Sequence, residues 1–410
     1  MTRIGALIAA SLLSACVGGS KNPAAPATSG NTGSTTLNTV ALTVDGGPQA
    51  ATGQINHAYV TIKVCASGTT QCANIDHVLV DTGSSGLRLV RSALTSGGVA
   101  LSGETDAQGQ AIEECMTFGG GQTWGPVALA DVTVAGEVAS KLPVQIMDDT
   151  NAGAPAPATC GANGTLLNDV SGFGANGLFG VGVFAQDCGT ACVSPATPLA
   201  MYYGCATAGT CTAENIALAN QVTNPVALFT ADNNGIIVSL PNLQNANGDA
   251  TVTGELIFGI ATQSDNALPA TALTVLGADA NGDFTATYNG GTTALPALID
   301  SGTDSYAFND TTIAVCASGS YVGYYCPAVA PLSLFAVNTG VGTYNATNTV
   351  NFALADPNSF VAGAAAFIDL GGGGGSTNFT WGMPFFYGRK VYFGLEQRVS
   401  GTYTGPFYAY

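Results

Sequence analysis

Val78-Leu-Val-Asp81-Thr-Gly-Ser84 and Ala297-Leu-Ile-Asp300-Ser-Gly-Thr303 are two versions of one pattern. Each is an apolar strand ending in Asp, then a small hydroxyl residue, Gly and a second hydroxyl residue. The copies lie 219 residues apart, so each falls in one half of the chain. The strand delivers a carboxylate to its end, and the glycine permits a tight turn with backbone amides near it. One Asp-(Thr/Ser)-Gly is expected by chance about half the time in so Gly- and Thr-rich a chain. The apolar lead-in and trailing hydroxyl lower that to roughly 0.02, before a second copy is required. The repeat therefore predicts two similar halves with Asp81 and Asp300 brought face to face.

Two such carboxylates cannot both ionise cheaply, so they share one proton, and the resulting pKa values belong to the pair. One can then take a proton from a water while the other gives one to a substrate carbonyl, forming a tetrahedral intermediate without a covalent adduct.

The rest of the chain reads as β. Only 9% of residues are charged and 46% are apolar, with 55 glycines. Apolar runs of four to eight residues alternate with Gly, Asn, Asp and Ser clusters, as in 58–64, 77–80 and 127–134. Short helices are expected over 198–203 and 213–221, and the Gly371–Gly375 run reads as a loop tip. A chain of 410 residues suits two or three domains. Its net charge of −17 and lack of any basic run exclude nucleic acid as a partner class.

The N-terminus predicts export. One positive charge at Arg3 precedes an apolar run, Ile4 to Leu13, too short to span a bilayer. Leu13-Ser-Ala-Cys16 resembles a bacterial lipobox, which implies lipidation of Cys16 and a mature chain starting there; an ordinary signal peptide with an incidental cysteine is the alternative. Val17 is not the Asp that commonly retains such proteins at the inner membrane, so an outer-membrane address is expected. Residues 1–15 are then the leader, 16–38 a tether, 39–225 a first β lobe and 226–410 a second. Eleven cysteines less Cys16 leave ten in an exported chain. They allow roughly nine hundred connectivities. The simplest pairs near neighbours, Cys65–Cys72, Cys188–Cys192, Cys205–Cys211 and Cys316–Cys326, leaving Cys115–Cys160. With two histidines, His57 and His77, and no CxxC pair, neither a metal nor a cofactor is expected.

Asp81-Thr-Gly-Ser-Ser85 resembles the first active-site signature of pepsin-like aspartic proteases, and further matches follow in order. Residues 116–125 resemble their flap hairpin and 176–182 the segment behind the first Asp. The crossover is matched by 227–230 with 254–259, and the closing segment by 381–387 with 391–394. Together they span most of residues 40–395. The chain is also similar to a bacterial lipoprotein family of unassigned function. The pepsin-like resemblance implies an all-β bilobal fold with pseudo-twofold symmetry. It implies Asp81 and Asp300 as catalytic residues, with Gly83 and Gly302 against their inner oxygens and Ser84 and Thr303 bonding their outer oxygens. Thr82 and Ser301 would tie the loops together. A peptide or protein substrate would lie extended in the interlobe cleft of a monomer, membrane-bound only through its lipid.

Two positions depart from that family. Phe118 stands where its flap carries Tyr, and Arg88 stands where a Trp follows the first motif. Those two groups normally touch, so a remodelled flap is expected, with Trp124 a candidate replacement. Asp304 adds a carboxylate beside the second motif, and strand alternation points it away from the dyad. The expected function is an aspartic-type endopeptidase. The alternative is a non-catalytic lipoprotein of the same fold that binds a peptide or glycan. A β-rich adhesin with accidental motifs would not explain the ordered matches, and two histidines disfavour serine or cysteine catalysis.

Overall fold

The computed structural model describes residues 38–161, 165–206, 209–269, 273–373 and 377–410. Cys16, the leader and nearly all of the tether lie outside the described residues. The tether's last residue belongs to the fold instead. Asn38 is buried, and its side-chain amide donates to the Phe258 carbonyl at 3.0 Å.

The first half contains β1 (Thr39–Val44), β2 (Ala58–Ala66), β3 (Cys72–Asp81), β4 (Ser85–Val90), β5 (Ala111–Phe118), β6 (Gly121–Val134), β7 (Glu137–Met147), β8 (Gly177–Val181), β9 (Tyr202–Cys205) and β10 (Cys211–Ala213). The second half contains β11 (Gly235–Ser239), β12 (Val252–Phe258), β13 (Val275–Gly277), β14 (Phe284–Tyr288), β15 (Ala294–Ile299), β16 (Tyr306–Ala307), β17 (Leu332–Thr339), β18 (Thr347–Leu354), β19 (Gly371–Gly372), β20 (Phe379–Trp381), β21 (Lys390–Gly394), β22 (Val399–Ser400), β23 (Tyr403–Thr404) and β24 (Phe407–Ala409). The α-helices described are α1 (Arg91–Ser96) and α2 (Val170–Phe173). The fold is mainly β, as predicted. Its strands are rich in Val, Ile and Thr, whose branched side chains pack well on a pleated surface.

Among the described residues one continuous sheet runs β10-β9-β5-β6-β7-β4-β8-β3-β2-β1-β12-β11-β21-β24-β13, and β6 also pairs with β2. That second pairing closes β6, β7, β4, β8, β3 and β2 into a barrel. β1 then carries the sheet onward: it pairs with β2 at one edge and with β12, from the second half, at the other. A second sheet orders β18-β17-β14-β15-β20-β16-β19.

The motif strands sit in equivalent surroundings. β3 runs parallel to β8, with Asp81 opposite Gly180, and β4 returns antiparallel to β8. β15 runs parallel to β20, and β16 returns antiparallel to it. The Gly182 amide donates to the Ser84 carbonyl at 2.8 Å, and the Met383 amide to the Thr303 carbonyl at 2.7 Å. Trp381 anchors the second copy: it is wholly buried against Tyr306, Phe352, Phe379 and Phe385. Truncating such a side chain costs about 3–5 kcal/mol.

Three local expectations are corrected. Residues 198–203 and 213–221 do not form α-helices. Tyr202 and Tyr203 lie in β9, which pairs with β5 and β10, Ala213 ends β10, and the helical turn within 213–221 is a 3-10 turn at Leu218–Asn220. Pairing on both edges of β9 outweighs local propensity there. The glycine run is a strand at its start, while Gly374 and Gly375 lie outside the described residues. Gly371 and Gly372 form β19 beside β16. A Cβ on Gly371 would come within 2.4 Å of Leu354, so the missing side chain lets this backbone pack. All five disulfides join the simplest pairs: Cys65–Cys72, Cys115–Cys160, Cys188–Cys192, Cys205–Cys211 and Cys316–Cys326.

Candidate active site

β3 and β15 end side by side, bringing Asp81 and Asp300 together. Each turn holds its own carboxylate. Gly83 N–H donates to Asp81 Oδ1 at 2.8 Å and the Ser84 hydroxyl to Oδ2 at 2.5 Å. Gly302 N–H donates to Asp300 Oδ1 at 2.8 Å and the Thr303 hydroxyl to Oδ2 at 2.6 Å. Each glycine also lies against the opposite carboxylate. A Cβ on Gly83 would stand 2.6 Å from Asp300 Cγ, and one on Gly302 would stand 2.8 Å from Asp81 Cγ. No side chain fits either place, which is why both motifs carry glycine there.

Asp81 is 5% exposed, and Asp300 is half-buried. Burial, then the charge and hydrogen bond of Asp300, hold the Asp81 carboxyl well above the usual carboxylate range; Ser84 and Gly83 pull the other way. Two carboxyls this close cannot both ionise cheaply, which favours a single proton held between them.

Four buried hydrogen bonds lock the two turns together. The Thr82 hydroxyl donates to Ile299 O (3.1 Å) and accepts from Ser301 N–H (2.9 Å). The Ser301 hydroxyl donates to Val80 O (2.7 Å) and accepts from Thr82 N–H (3.2 Å).

β5 and β6 form the hairpin expected of the flap, turning through Gly119 and Gly120, with Phe118 opposite Gly121. Phe118 is half-buried and meets the Phe173 ring edge-on. The Arg88 guanidinium lies 5.6 Å from its ring centre. Arg88 and Phe118 thus touch as a cation and a ring, a contact of about 2 kcal/mol where water is excluded. Trp124 does not stand in for them. It is buried at the hairpin's base beside Cys115, Cys160 and Tyr203, and its indole N–H donates to Ala154 O at 2.7 Å. Asp304 is engaged away from the dyad, accepting from the Tyr324 hydroxyl. His57 and His77 make their own contacts: His57 pairs with the Tyr59 hydroxyl at 3.2 Å, and His77 lies between Asp45 and Asp76.

A cavity of about 720 Å³ opens beside the dyad turns. Thr82, Gly83 and Ser84 form one side, Met116 of the flap another, and Leu298 and Tyr408 the second half's wall. Glu396 and Asp187 also line it, the Asp187 side chain itself being turned from solvent onto Arg88.

The residues that sequence reasoning passed over are Glu114, Asp187 and Tyr202. Their side chains are buried around Arg88. One signal was available: Glu113 and Glu114 are adjacent acids in an otherwise weakly charged strand, and both are buried.

No curated protein matches this chain. Among solved structures, the crystal structure of aspartic proteinase from Irpex lacteus is similar, with a TM-score of 0.48 and 15% sequence identity; the match covers 90% of this chain and 96% of that one. Residues 34–410 match a family described as "Protein of unknown function (DUF3443)", and the chain belongs to that family.

Proposed function

We propose that this chain is an aspartic-type endopeptidase, exported and lipid-anchored through Cys16, that cleaves peptide or protein substrates as a monomer. The observation that carries the reading is the reciprocal geometry of the dyad. Each carboxylate is oriented by its own amide and hydroxyl, and each motif glycine leaves room for the carboxylate opposite. Such a pair holding one proton is equipped for both halves of peptide hydrolysis. The ionised carboxylate takes a proton from water, and the water oxygen bonds to the peptide carbon. The protonated carboxyl gives its proton to the carbonyl oxygen. Collapse of the tetrahedral species breaks the C–N bond, and the leaving nitrogen takes a proton from the dyad. The cavity between Met116 and Leu298 offers space for substrate side chains beside the reacting bond.

The test is incubation of the full lipidated protein, in detergent, with a broad peptide library from pH 3 to 8, read by mass spectrometry. Cleavage with an acid optimum is expected, blocked by a statine-type mimic of the tetrahedral species. Asp81→Asn and Asp300→Asn should each lower the rate by about 10²–10⁴-fold. Full activity in either variant rules out the dyad as the catalyst. Tight peptide or glycan binding without cleavage would favour a binding protein.

A further inference from the structure

A second pair of carboxyl groups lies behind the flap, outside the chemistry above. The side chains of Arg88, Glu114 and Asp187 are closed to solvent. Arg88 Nη2 donates to Glu114 Oε1 at 2.6 Å and to Asp187 Oδ2 at 2.8 Å, while Nη1 donates to Ser85 O at 3.0 Å. The Tyr202 hydroxyl donates to Asp187 and accepts from Val222 N–H at 2.7 Å. The Glu114 and Asp187 carboxyls both accept from the one Arg88 Nη2, so two buried acids crowd around a single cation, an arrangement that favours one proton held between them. Glu114 Oε2 and Arg88 Nε are both buried in this cluster without a hydrogen-bond partner.

The groups join the parts of the site that must hold still relative to one another. Arg88 is on β4, which continues directly from the first motif. Glu114 is on flap strand β5, on the same face as Met116, which lines the cavity, and Phe118, which meets Arg88. Asp187 belongs to the cavity wall, and Tyr202 is on β9, the neighbour of β5. The ionisable groups facing the pair from these elements are Arg88 and Tyr202.

We propose that Glu114 and Asp187 share a proton that clamps the flap strand to β4 and the cavity wall, so that losing this proton frees the flap. Arg88, Glu114 and Asp187 are then positioning residues. With the proton in place, one cation faces one anion. Without it, two anions on one guanidinium nitrogen face a single cation in a space closed to water, and the like charges drive the elements apart. Burial and the Glu114 charge hold the Asp187 carboxyl well above the usual range, so the folded state binds this proton more tightly than the unfolded chain. The clamp is therefore complete at acid pH and is lost as pH rises through the raised Asp187 value. It would limit the proposed peptidase to acid conditions through the flap as well as through the dyad.

Hydrogen–deuterium exchange of the full protein in detergent tests this, because flap protection is read without any cleavage. Protection of residues 114–121, corrected for the intrinsic rate, should fall about tenfold or more between pH 4 and pH 8, while residues 294–299 hold theirs. In Asp187→Asn an uncharged amide can still donate to Glu114, and flap protection should stay constant within about threefold. Glu114→Gln should behave the same way and decides the matter if the first variant does not fold. Asp81→Asn should keep the wild-type fall, separating the clamp from the dyad. A flap whose protection ignores pH, or a wild-type fall persisting in a folded Asp187→Asn or Glu114→Gln protein, overturns the proposal. If the clamp behaves as stated while no peptide is cleaved, only the peptidase reading fails.

Discussion

Replacing Thr82 with Val should loosen the joint between the two motif turns while leaving its shape almost unchanged. Val keeps the volume and branching of Thr and removes only the hydroxyl. In the buried joint, Ser301 N–H then loses its acceptor, and the Ile299 carbonyl loses a donor. Stranding a buried polar group costs about 1–3 kcal/mol, so the change should cost about 2–4 kcal/mol in all. Ser301→Ala removes the reciprocal pair of bonds, to Val80 O and from Thr82 N–H, and should cost a similar amount. For a chain of this length the unfolding entropy is roughly 0.8 kcal/mol per kelvin, so each variant should lower Tm by about 2–5 °C. The assay is urea unfolding followed by tryptophan fluorescence. The chain's two tryptophans, Trp124 and Trp381, are buried in opposite halves and report on both. The double variant should cost less than the two singles together, by about 1 kcal/mol, because both bond sets restrain one joint. Losses under about 0.5 kcal/mol in both single variants would refute the claim that these hydroxyls hold the turns together, since surface changes produce no more than that.

Stability should also depend on pH in a defined direction. Burial raises Glu113 to about 8, Glu214 to about 7 and Asp369 to about 6, with neighbouring acids adding to the first two, and it also raises Asp81. A raised acid binds its proton more tightly when folded, so stability from these groups is present at acid pH and lost as pH climbs from about 4 to 8. Asp148 and Asp310 are lowered by their hydrogen bonds despite partial burial, and their contribution is lost below about pH 4. Tm should therefore peak near pH 4–5, and Glu113→Gln should flatten part of the decline towards pH 8; a Tm that rises steadily to pH 8 contradicts the assignment. Among the disulfides, Cys115–Cys160 closes a separation of 45 residues and Cys188–Cys192 one of 4. On the chain-entropy account, removing the first should cost about 4 kcal/mol and the second about 2 kcal/mol. Denaturation of the paired Cys→Ala variants checks that order.

Much of this protein was legible from residue order because the relevant physics is local. An apolar strand ending in Asp, hydroxyl residue and Gly carries its own turn and its own carboxylate contacts, and the spacing of two copies implies two halves. The flap hairpin was expected from the resemblance of residues 116–125 to that of pepsin-like proteases. Four disulfides joined near neighbours in sequence, where short loops leave little choice, and Cys115–Cys160 was what remained.

Tertiary structure decided what depends on residues meeting from afar. Arg88 in the sequence was only a departure from an expected Trp. Its partners Glu114, Asp187 and Tyr202 lie on separate elements, and nothing local marks them as one buried cluster. The expected helices at 198–203 and 213–221 failed because strand pairing around β9 claimed part of that chain. Trp124, the candidate replacement in the flap, is packed instead against Cys115, Cys160 and Tyr203. Sequence alone determined which carboxylates would face each other, since each turn builds itself. Only the fold decided what holds the flap beside them, because a buried charge cluster exists only once distant strands have excluded the water between them.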